Sequence, residues 1–271
     1  MSDRGFVLIP VLWLAMLLGV VAGGITVAVH SEALLARHFA TNTTAEFLAD
    51  AGVVRAMIGL GSGGSKEPWV SRGEPFTLDL GEGYAQIAIE DEDGKIDLNL
   101  GSTDALRAIL ELNGIEQGRA SRTVERISAL RLSRRSMQQG NNRASNDRMG
   151  TRLPDDTEAI AISEIGYESY GRVRSFVTIY SKIHTFDPTT SRPEVESVMH
   201  QSAGRPGISP SRQTVYTIRS LGCHPTNQSS YERVAVVRRS RIPGKLFTIL
   251  SWRHSEGASE LSCSSKSRSR Y

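Results

Sequence analysis

The chain has few of the residues that build metal centres, disulfide frameworks or catalytic sites. Its 271 residues include two cysteines and six histidines, and their spacing matches no zinc site. The sequence contains no H-E-x-x-H and no G-x-S-x-G motif, so nothing in it supports nucleophilic or metalloprotease catalysis. The histidines are scattered, and an isolated one such as His184 is more often structural or exposed than catalytic. We therefore expect a protein that is not an enzyme and has no catalytic residue and no cofactor.

A large charge imbalance is also lacking. The formal net charge of +3 is too small to indicate nucleic-acid binding by itself. The two cysteines, Cys223 and Cys263, are compatible with one disulfide in an oxidising compartment. They are equally compatible with two unrelated thiols, and the sequence leaves both alternatives open.

A long apolar stretch near the start is the most prominent feature that is present. The twenty-four residues from Phe6 to Val29 contain no charge. As a helix this stretch would span about 36 Å, which exceeds the ~30 Å hydrocarbon core of a bilayer. A secretory signal peptide has a shorter apolar region followed by an A-x-A-like cleavage site, and neither is found here. We expect one membrane-spanning segment, and Arg4 with the amino terminus favours a cytoplasmic N-terminus.

The helical pattern continues beyond the apolar stretch. Phe47, Ala51, Val54 and Ile58 recur with helical spacing, and Glu46, Asp50 and Arg55 lie off this stripe. The pattern predicts one long helix from about Phe6 to Leu60, with a transmembrane half at 6–29 and an amphipathic half at 30–60. The glycine-rich stretch GLGSGGS ends it.

Strand patterns lie on both sides of a helical block, which predicts an α+β fold. The long helix packs on an antiparallel sheet, and an all-helical subdomain is inserted into the sheet domain. The link Gly81-Glu82-Gly83 indicates a hairpin, Asp93-Gly94 a turn, and Thr103 the cap of a helix closed by Asn113-Gly114. Strands are predicted at 76–80, 84–89, 214–219, 231–238 and 245–252, further helices around 124–132, 160–177 and 191–199, and a polar mobile loop at 133–157. The predicted domains are an α/β domain at 61–100 and 206–255, a helical subdomain at 101–205 and a disordered tail at 256–271.

Two short patterns suggest ligand sites, and both have simpler interpretations. Gly59 to Gly64 match G-x-G-x-x-G, but a dinucleotide site needs a strand before the motif and a helix after it. The pattern here follows a helix and favours a flexible helix stop. The acidic run Glu90-Asp91-Glu92-Asp93-Gly94 resembles part of a calcium loop, but an EF-hand register would place Ile89 and Leu100 at the anchoring positions. A solvated turn is the better interpretation.

Several segments together resemble one protein family. RGFVLIPVLWLAMLL resembles the processing site of type IV pilin-like proteins, which a dedicated peptidase cuts after the glycine. The remaining chain resembles minor pseudopilin K of the type II secretion system, also called general secretion pathway protein K, over most of Gly5 to His254. The segments that carry this resemblance are AEFLADAGVVRAMIGL, EDEDGKIDLNLGSTDALRAILELNGI, SEIGYESYGRVRSFVTIYS, FDPTTSRPEVESVM and FTILSWRH, in this order.

The resemblance implies a prepilin leader at 1–5, with cleavage between Gly5 and Phe6 and methylation of the new amine. Major pilins carry a glutamate five residues into the mature chain, whose charge pairs with the amine of a neighbouring subunit. Here that position is Pro10, and K-type pseudopilins characteristically lack the glutamate. A subunit without it suits the tip of the filament. Pro10 lies in the first turn of the mature helix, where its missing donor costs little.

The resemblance also implies partners and a location. The partners are the other minor pseudopilins of the I and J types, the major pseudopilin, the prepilin peptidase and the inner-membrane secretion platform. The protein would cross the inner membrane once, with the bulk of the chain in the periplasm. It would help to initiate a filament that exports folded proteins. The family includes calcium-binding members, but their ligands cannot be matched to residues here. The alternative is an uncleaved bitopic membrane protein with a periplasmic ligand-binding domain.

One region departs from the family pattern. The family usually has an acidic, tryptophan-bearing stretch after the second helix, and this chain has SALRLSRRSMQQGNNRASNDRMG instead. Nine arginines lie from Arg119 to Arg152, against two acidic residues, Glu125 and Asp147. A solvated loop is the simplest interpretation, and contact with phosphate or an acidic partner is the alternative. Nucleic-acid binding is disfavoured because this region would lie outside the inner membrane.

Overall fold

The structure, a computed structural model, describes the chain in eight segments. These are residues 8–61, 73–140, 165–181, 190–202, 215–225, 229–240, 242–255 and 261–263. The helices are α1 (Leu8–Gly61), α2 (Thr103–Leu112), α3 (Gln117–Gly140), α4 (Gly166–Val173) and α5 (Pro193–Ser202). The strands are β1 (Phe76–Asp79), β2 (Tyr84–Asp91), β3 (Ile96–Asp97), β4 (Val177–Thr178), β5 (Val215–Cys223), β6 (Ser230–Arg239) and β7 (Phe247–His254).

Five strands form the main sheet, in the order β1-β2-β5-β6-β7. Every neighbouring pair is antiparallel. The predicted hairpin at Gly81-Glu82-Gly83 joins β1 to β2, and the chain leaves the sheet between β2 and β5, where the helices are inserted. The predicted α+β class, with a long N-terminal helix on an antiparallel sheet, is confirmed.

The second half of α1 packs against one face of this sheet. Its buried side is made mostly of small and branched residues, and these meet Ile87, Ile89 and Ile218 of the sheet. Small residues let the two backbones approach. A Cβ at Gly222 would lie 2.5 Å from the backbone nitrogen of Ala49, so only glycine fits there. The buried hydrophobic residues of α1 are Ala45, Leu48, Ala49, Val53, Ala56 and Leu60.

A second core lies among the inserted helices. Leu106 and Ile109 of α2 are buried there with Val124 of α3 and Val195 of α5. The amphipathic helix α2 begins after Ser102, whose hydroxyl accepts from the backbone of Ala105. The sequence placed this cap one residue later, at Thr103.

The inserted unit is not entirely helical. β3 and β4 form a two-residue parallel ladder, and Ile96 of β3 packs with Leu98 into the helical core. This core therefore begins before the boundary at residue 101 that the sequence suggested. The reason is that the turn at 92–94 redirects the chain out of the main sheet immediately after β2. Composition predicted a loop at 133–157, but α3 continues through 133–140. The rest of that predicted loop lies outside the described residues.

The end of the chain is attached to the sheet. Cys223 of β5 forms a disulfide with Cys263, which decides between the two alternatives that the sequence left open. Leu261 is buried beside Ala88 and Leu221 on the sheet face opposite α1. Residues 261–263 therefore differ from the predicted disordered tail, and the rest of that tail lies outside the described residues.

Candidate membrane anchor and assembly surfaces

The first half of α1 exposes large apolar side chains around its whole circumference. Val11, Leu12, Trp13 and Leu14 follow one another at ~100° intervals around the helix, and each is more than half exposed. Among the described residues this helix alone is long and apolar enough to cross a membrane, and its most apolar window has no buried residue. Such a surface needs lipid or other helices around it. This finding agrees with a single-pass anchor.

The predicted processing site lies at the edge of what the structure describes. Gly5 and Phe6 are outside the described residues. Pro10 lies in the first turn of α1, three residues into the helix as the structure has it. A missing backbone donor costs little at that place, because the first four amides of a helix have no partner within the helix.

The second half of α1 has two apolar sides, and the sequence pattern identified the outer one. Phe47, Val54 and Ile58 are 68%, 49% and 49% exposed. At ~100° per residue these residues lie on roughly the opposite side of the helix from Val53 and Ala56, which face the sheet. We call Phe47, Ala51, Val54 and Ile58 the outer stripe. It continues the apolar surface of the anchor along the part of α1 that is attached to the sheet.

An arginine of the sheet holds α1 in place beside the outer stripe. Arg233 of β6 donates from Nε to Asp50 Oδ1 at 2.6 Å and from Nη2 to Glu46 Oε1 at 2.7 Å. Its guanidinium also lies over the rings of Tyr231 and Trp252, at 4.8 and 5.6 Å. Burial would lower the pKa of Arg233, but hydrogen bonds and charges from the two carboxylates raise it. The carboxylates predicted to lie off the stripe thus fix the rotation of α1 on the sheet.

The contacts of α1 show which end of the sheet lies nearer the apolar half of this helix. Gly222, near the end of β5, lies against Ala45, whereas Gly61, at the end of α1, lies against Leu246 just before β7. The end of the sheet beside Gly61 is formed by three paired strand ends: the start of β5, the end of β6 and the start of β7. The inserted helices connect through the end of β2 and the start of β5, so they lie at the end of the domain farthest from the apolar half of α1.

The inserted helices meet the sheet at a buried charged junction. Lys95 Nζ lies 2.7 Å from Glu90 Oε2 and 2.7 Å from Glu92 Oε1, and Arg192 forms a second ion pair with Glu90. Thr217 of β5 donates to Glu92 Oε1 at 2.7 Å, and Thr178 of β4 also donates to Glu92. Glu92 therefore has partners from both units, and Glu90 of the sheet pairs with Arg192 of the inserted unit.

These contacts set the ionisation of the junction. Burial would raise the pKa of Glu90, but the charges of Lys95 and Arg192 outweigh it and lower the pKa to about 2. Burial would lower the pKa of Lys95, and the charges of Glu90 and Glu92 instead raise it above its ordinary value. A cavity of about 40 Å³ lies at this junction, which is room for a few water molecules and too small for a metabolite.

The acidic run is thus a buried element, and the solvated turn expected for it is wrong. Its position in β2 and in the turn after it places it under the inserted helices. Glu90 and Glu92 bind the protein's own cations. Within the described residues, no group of three or more His, Cys, Asp or Glu side chains is arranged to hold a metal. Gly59 and Gly61, of the glycine pattern, lie in the last turn of α1 with no strand before them.

The junction, the arginine contact to α1 and the disulfide are the features that sequence reasoning missed or left open. Glu90 and Arg192 are separated by about one hundred residues of chain, and no local pattern links them. Arg233 and Asp50 are separated still further. Of these three features, the sequence gave a signal for the disulfide alone. The presence of two cysteines indicated the Cys223–Cys263 pair as one of two alternatives.

The fold is shared with a protein of known structure. No protein-family model matches the chain, and no curated protein sequence matches it. The chain is similar to a chain in the crystal structure of the GspK-GspI-GspJ complex from the enterotoxigenic Escherichia coli type 2 secretion system, with a TM-score of 0.53 and 14% identity. The similarity covers 82% of this chain and 99% of that chain. At this identity the likeness shows the fold.

Proposed function

We propose that the chain is a minor pseudopilin of a type II secretion system. The observation that carries the proposal is the outer stripe of α1, which extends an anchor-like apolar surface into the periplasmic half of the helix. A helix that is buried on one side by its own sheet needs no second apolar side unless another helix packs against it. The fold shared with a chain of the GspK-GspI-GspJ complex supports this choice of protein class.

The proposed role follows from the two halves of α1. Residues 6–29 anchor the protein in the inner membrane with a cytoplasmic N-terminus, and the remaining chain lies in the periplasm, where the Cys223–Cys263 disulfide is stable. The outer stripe packs against the helices of neighbouring pseudopilins, first those of the I and J types and then the major pseudopilin. The inner-membrane platform drives growth of the filament, which exports folded proteins.

Processing precedes assembly in this proposal. A prepilin peptidase cuts between Gly5 and Phe6, and the new amine is methylated. Because Pro10 lacks a carboxylate, it cannot pair with the amine of a neighbour, which suits a subunit at the tip. The protein itself needs no catalytic residue and no cofactor for this role.

Assembly tests the outer stripe directly. The variant Phe47→Ser/Val54→Ser/Ile58→Ser, produced with the I-type and J-type pseudopilins of the same system, should fold but no longer copurify with them from membranes. The matched control replaces three similarly exposed apolar residues elsewhere, Leu112→Ser/Leu132→Ser/Ile242→Ser, and should copurify normally. Equal recovery of both variants with the partners would contradict an assembly role for the outer stripe.

Processing is tested by mass. The mature protein extracted from cells with an active prepilin peptidase should lack residues 1–5, and Gly5→Leu should retain them because the peptidase has no room for a side chain there. An intact mass that includes Met1 to Gly5 in the unsubstituted protein would favour the alternative, an uncleaved bitopic protein with a ligand-binding domain.

A further inference from the structure

The last strand of the main sheet has one side without a strand beside it. β7 lies at the end of the strand order β1-β2-β5-β6-β7, and in the described part of the chain it pairs with β6 alone. It has eight residues, twice as many as β1 at the opposite edge. The row of amides and carbonyls on an edge strand is a template for another strand. We call the outer side of β7, from Phe247 to His254, the free edge.

The hydrogen bonds to β6 show which residues of β7 direct their backbone outward. Ser255 donates to the carbonyl of Glu232 at 3.1 Å, and Ser240 donates to the carbonyl of Leu246 at 2.9 Å. These bonds set the alternation from both ends of the strand, because successive residues point their backbone groups to opposite sides. Leu250 is skipped in the register with β6, so the alternation shifts there. The residues directed outward are Phe247, Ile249, Trp252 and His254.

The side chains of these outward-directed residues are mostly apolar and accessible. They share the face of the sheet that α1 covers, where Phe247 is buried in the core, but Ile249 is 51% exposed and Trp252 37%. Prolines and charges commonly protect such an edge, yet β7 contains no proline and none of these four residues is formally charged. The bulge at Leu250 is a partial protection, because it increases the local twist. The extended stretches on both sides of it remain able to pair.

The chain around the free edge is basic. From Val234 to Ser255 the sequence has no acidic residue and five cations, which are Arg238, Arg239, Arg241, Lys245 and Arg253. Arg239 and Lys245 are exposed where β7 starts, since Arg239 is paired with Phe247. Within the described residues, neither of these two side chains forms an ion pair. Acidic residues of a partner would therefore find complementary charge at this end of β7.

The acidic residues of the neighbouring elements are engaged at the other end of β7. Glu46 and Asp50 of α1 bind Arg233, and Glu232 of β6 binds Arg219. Arg233 is paired with His254, the last residue of β7. These carboxylates therefore do not neutralise the cations at the start of the strand.

The direction of α1 disfavours a second copy of this chain at the free edge. Two equal edges pair antiparallel about a two-fold axis normal to the sheet. α1 runs opposite to β7, because Ala45 lies against the end of β5, Gly61 lies against Leu246 just before β7, and β5 and β7 run the same way. The two-fold axis would therefore point the two copies of α1 in opposite directions. Their apolar halves could not then enter one membrane from the same side.

We propose that the free edge binds an extended segment of another protein, which adds to the main sheet as a further strand and carries acidic residues at the end beside Arg239 and Lys245. Main-chain hydrogen bonds give this contact its affinity, and Ile249 and Trp252 pack with alternate apolar side chains of the segment. The free edge points along the plane of the sheet, whereas the outer stripe of α1 faces away from the sheet. The segment can therefore bind while α1 packs against other helices, and the inference does not depend on the proposed function.

A peptide titration tests the proposal on the full-length protein in zwitterionic detergent. The probe is a fluorescent peptide of alternating valine and threonine that ends in aspartates, and its anisotropy is measured. Ile249→Pro removes an outward amide without removing a bond to β6, and should weaken peptide binding about ten-fold or more. The matched control is Thr77→Pro on the outer side of β1, whose amide also points outward because Leu80 donates to Gly83 three residues later. It should bind the peptide like the unchanged protein.

A second substitution separates strand addition from simple apolar contact. Ile249→Thr keeps the outward amide and a β-branched side chain, and should weaken binding by less than about three-fold. Isotope-edited infrared spectra should show the carbonyls of the bound peptide in a β-sheet band. A loss with Ile249→Thr as large as with Ile249→Pro, or a bound peptide without the sheet band, would assign the contact to an apolar patch and overturn the proposal.

A charge swap tests the acidic end of the segment. Arg239→Glu/Lys245→Glu should bind the aspartate peptide about ten-fold more weakly and prefer a peptide that ends in lysines instead. The matched control Arg119→Glu/Arg172→Glu makes the same change of net charge at two other exposed cations and should keep the original preference. Equal affinity of the unchanged protein for the two peptides would overturn the proposal. A dimer of the unchanged protein that Ile249→Pro abolishes, without peptide binding, would assign the free edge to a second copy and also overturn it.

Discussion

At the scale of single residues, Glu90 shows how a carboxylate stays ionised inside the protein. Its side chain is almost fully buried, yet Lys95 and Arg192 lie within ion-pair distance of it. Removing one partner of such a group is costly because the remaining charges stay buried without compensation. The contact between the sheet and the inserted helices is therefore sensitive to substitution of Glu90.

Glu90→Gln should lower the free energy of unfolding by about 3 kcal/mol, because Lys95 and Arg192 then lose a charged partner in a buried place. Urea unfolding followed by tryptophan fluorescence measures it. The control Glu82→Gln changes an exposed carboxylate in the β1–β2 turn and should change stability little. Similar losses from both variants would contradict the role given to the junction.

The ionisation of Glu90 also predicts how the free energy of unfolding changes at acidic pH. The folded protein holds the pKa of Glu90 near 2, below its ordinary value of 4.5, so its ionisation stabilises the fold above pH 4.5. That stabilisation is lost as the pH falls from about 4.5 towards 2. The difference in unfolding free energy between the unchanged protein and Glu90→Gln should shrink over this range, as measured by urea unfolding at each pH. A constant difference would show that Glu90 does not titrate as described.

Two glycines give opposite predictions for the same substitution. Gly222→Ala places a methyl group against the backbone of α1 and should destabilise the protein by about 2 kcal/mol. Gly171→Ala in α4 meets open space and should stabilise by about 0.5 kcal/mol, since alanine favours helix. Thermal melting of the two variants measures both, and a loss at Gly171 equal to that at Gly222 would contradict the close approach.

At the scale of secondary-structure elements, the sequence predicts α1 well but not its orientation. A period of 3.6 residues identifies a helix, and α1 satisfies the period on two opposite sides. Phe47, Val54 and Ile58 gave the stronger apolar signal, yet the sheet takes the side with Ala49 and Val53 because small residues allow close packing there. Apolar strength alone therefore selected the exposed side of α1 and missed the side that packs on the sheet.

Strand predictions succeeded because the main sheet has regular alternation and clear turns. The glycine link after β1 and the alternation in β5 and β6 are local signals, and the strands lie close to the predicted places. β3 lies in the stretch that follows the predicted turn at Asp93-Gly94, but β4 was missed because a two-residue ladder has no periodicity to detect, and Val177 had been assigned to a helix. The charged junction was missed because its partners come from distant parts of the chain, and the acidic run alone is typical of an exposed turn.

The inserted unit should be separable from the sheet. Asp91 pairs with Tyr216 across β2 and β5, so a Gly-Asn-Gly linker that replaces residues 92–215 would close a hairpin between them. We expect the shortened protein to keep the β-sheet circular dichroism and a cooperative melt, because α1 and the sheet have their own core. Loss of the β signal would show that the two cores fold as one unit.

At the scale of the whole molecule, the position of Pro10 bears on where the subunit sits in the proposed filament. Pro10→Glu introduces a carboxylate into the lipid-embedded part of α1, which costs free energy unless a cation neutralises it. We expect secretion to be unchanged or reduced, and crosslinks to the major pseudopilin to increase, because the carboxylate can now pair with a neighbour's amine along the shaft. The control Pro10→Leu adds no charge and should leave the crosslinks unchanged.

Exoprotein secretion and crosslinking to the other pseudopilins measure this outcome. Raised secretion with unaltered tip crosslinks in Pro10→Glu would argue against the idea that the missing charge determines the place of the subunit.

The charged junction between the two cores also has a mechanical consequence. If the proposed filament pushes the subunit along α1, the load passes through the sheet to the inserted helices at its far end. The two apolar cores resist deformation because their packing is dense and short-ranged. We expect the ionic contacts of Glu90 and Lys95 to lengthen before either core opens, because a water molecule can bridge separated charges but not separated apolar groups. The charged junction would then yield under load. The inserted helices would tilt relative to α1 and the sheet, which stay rigid.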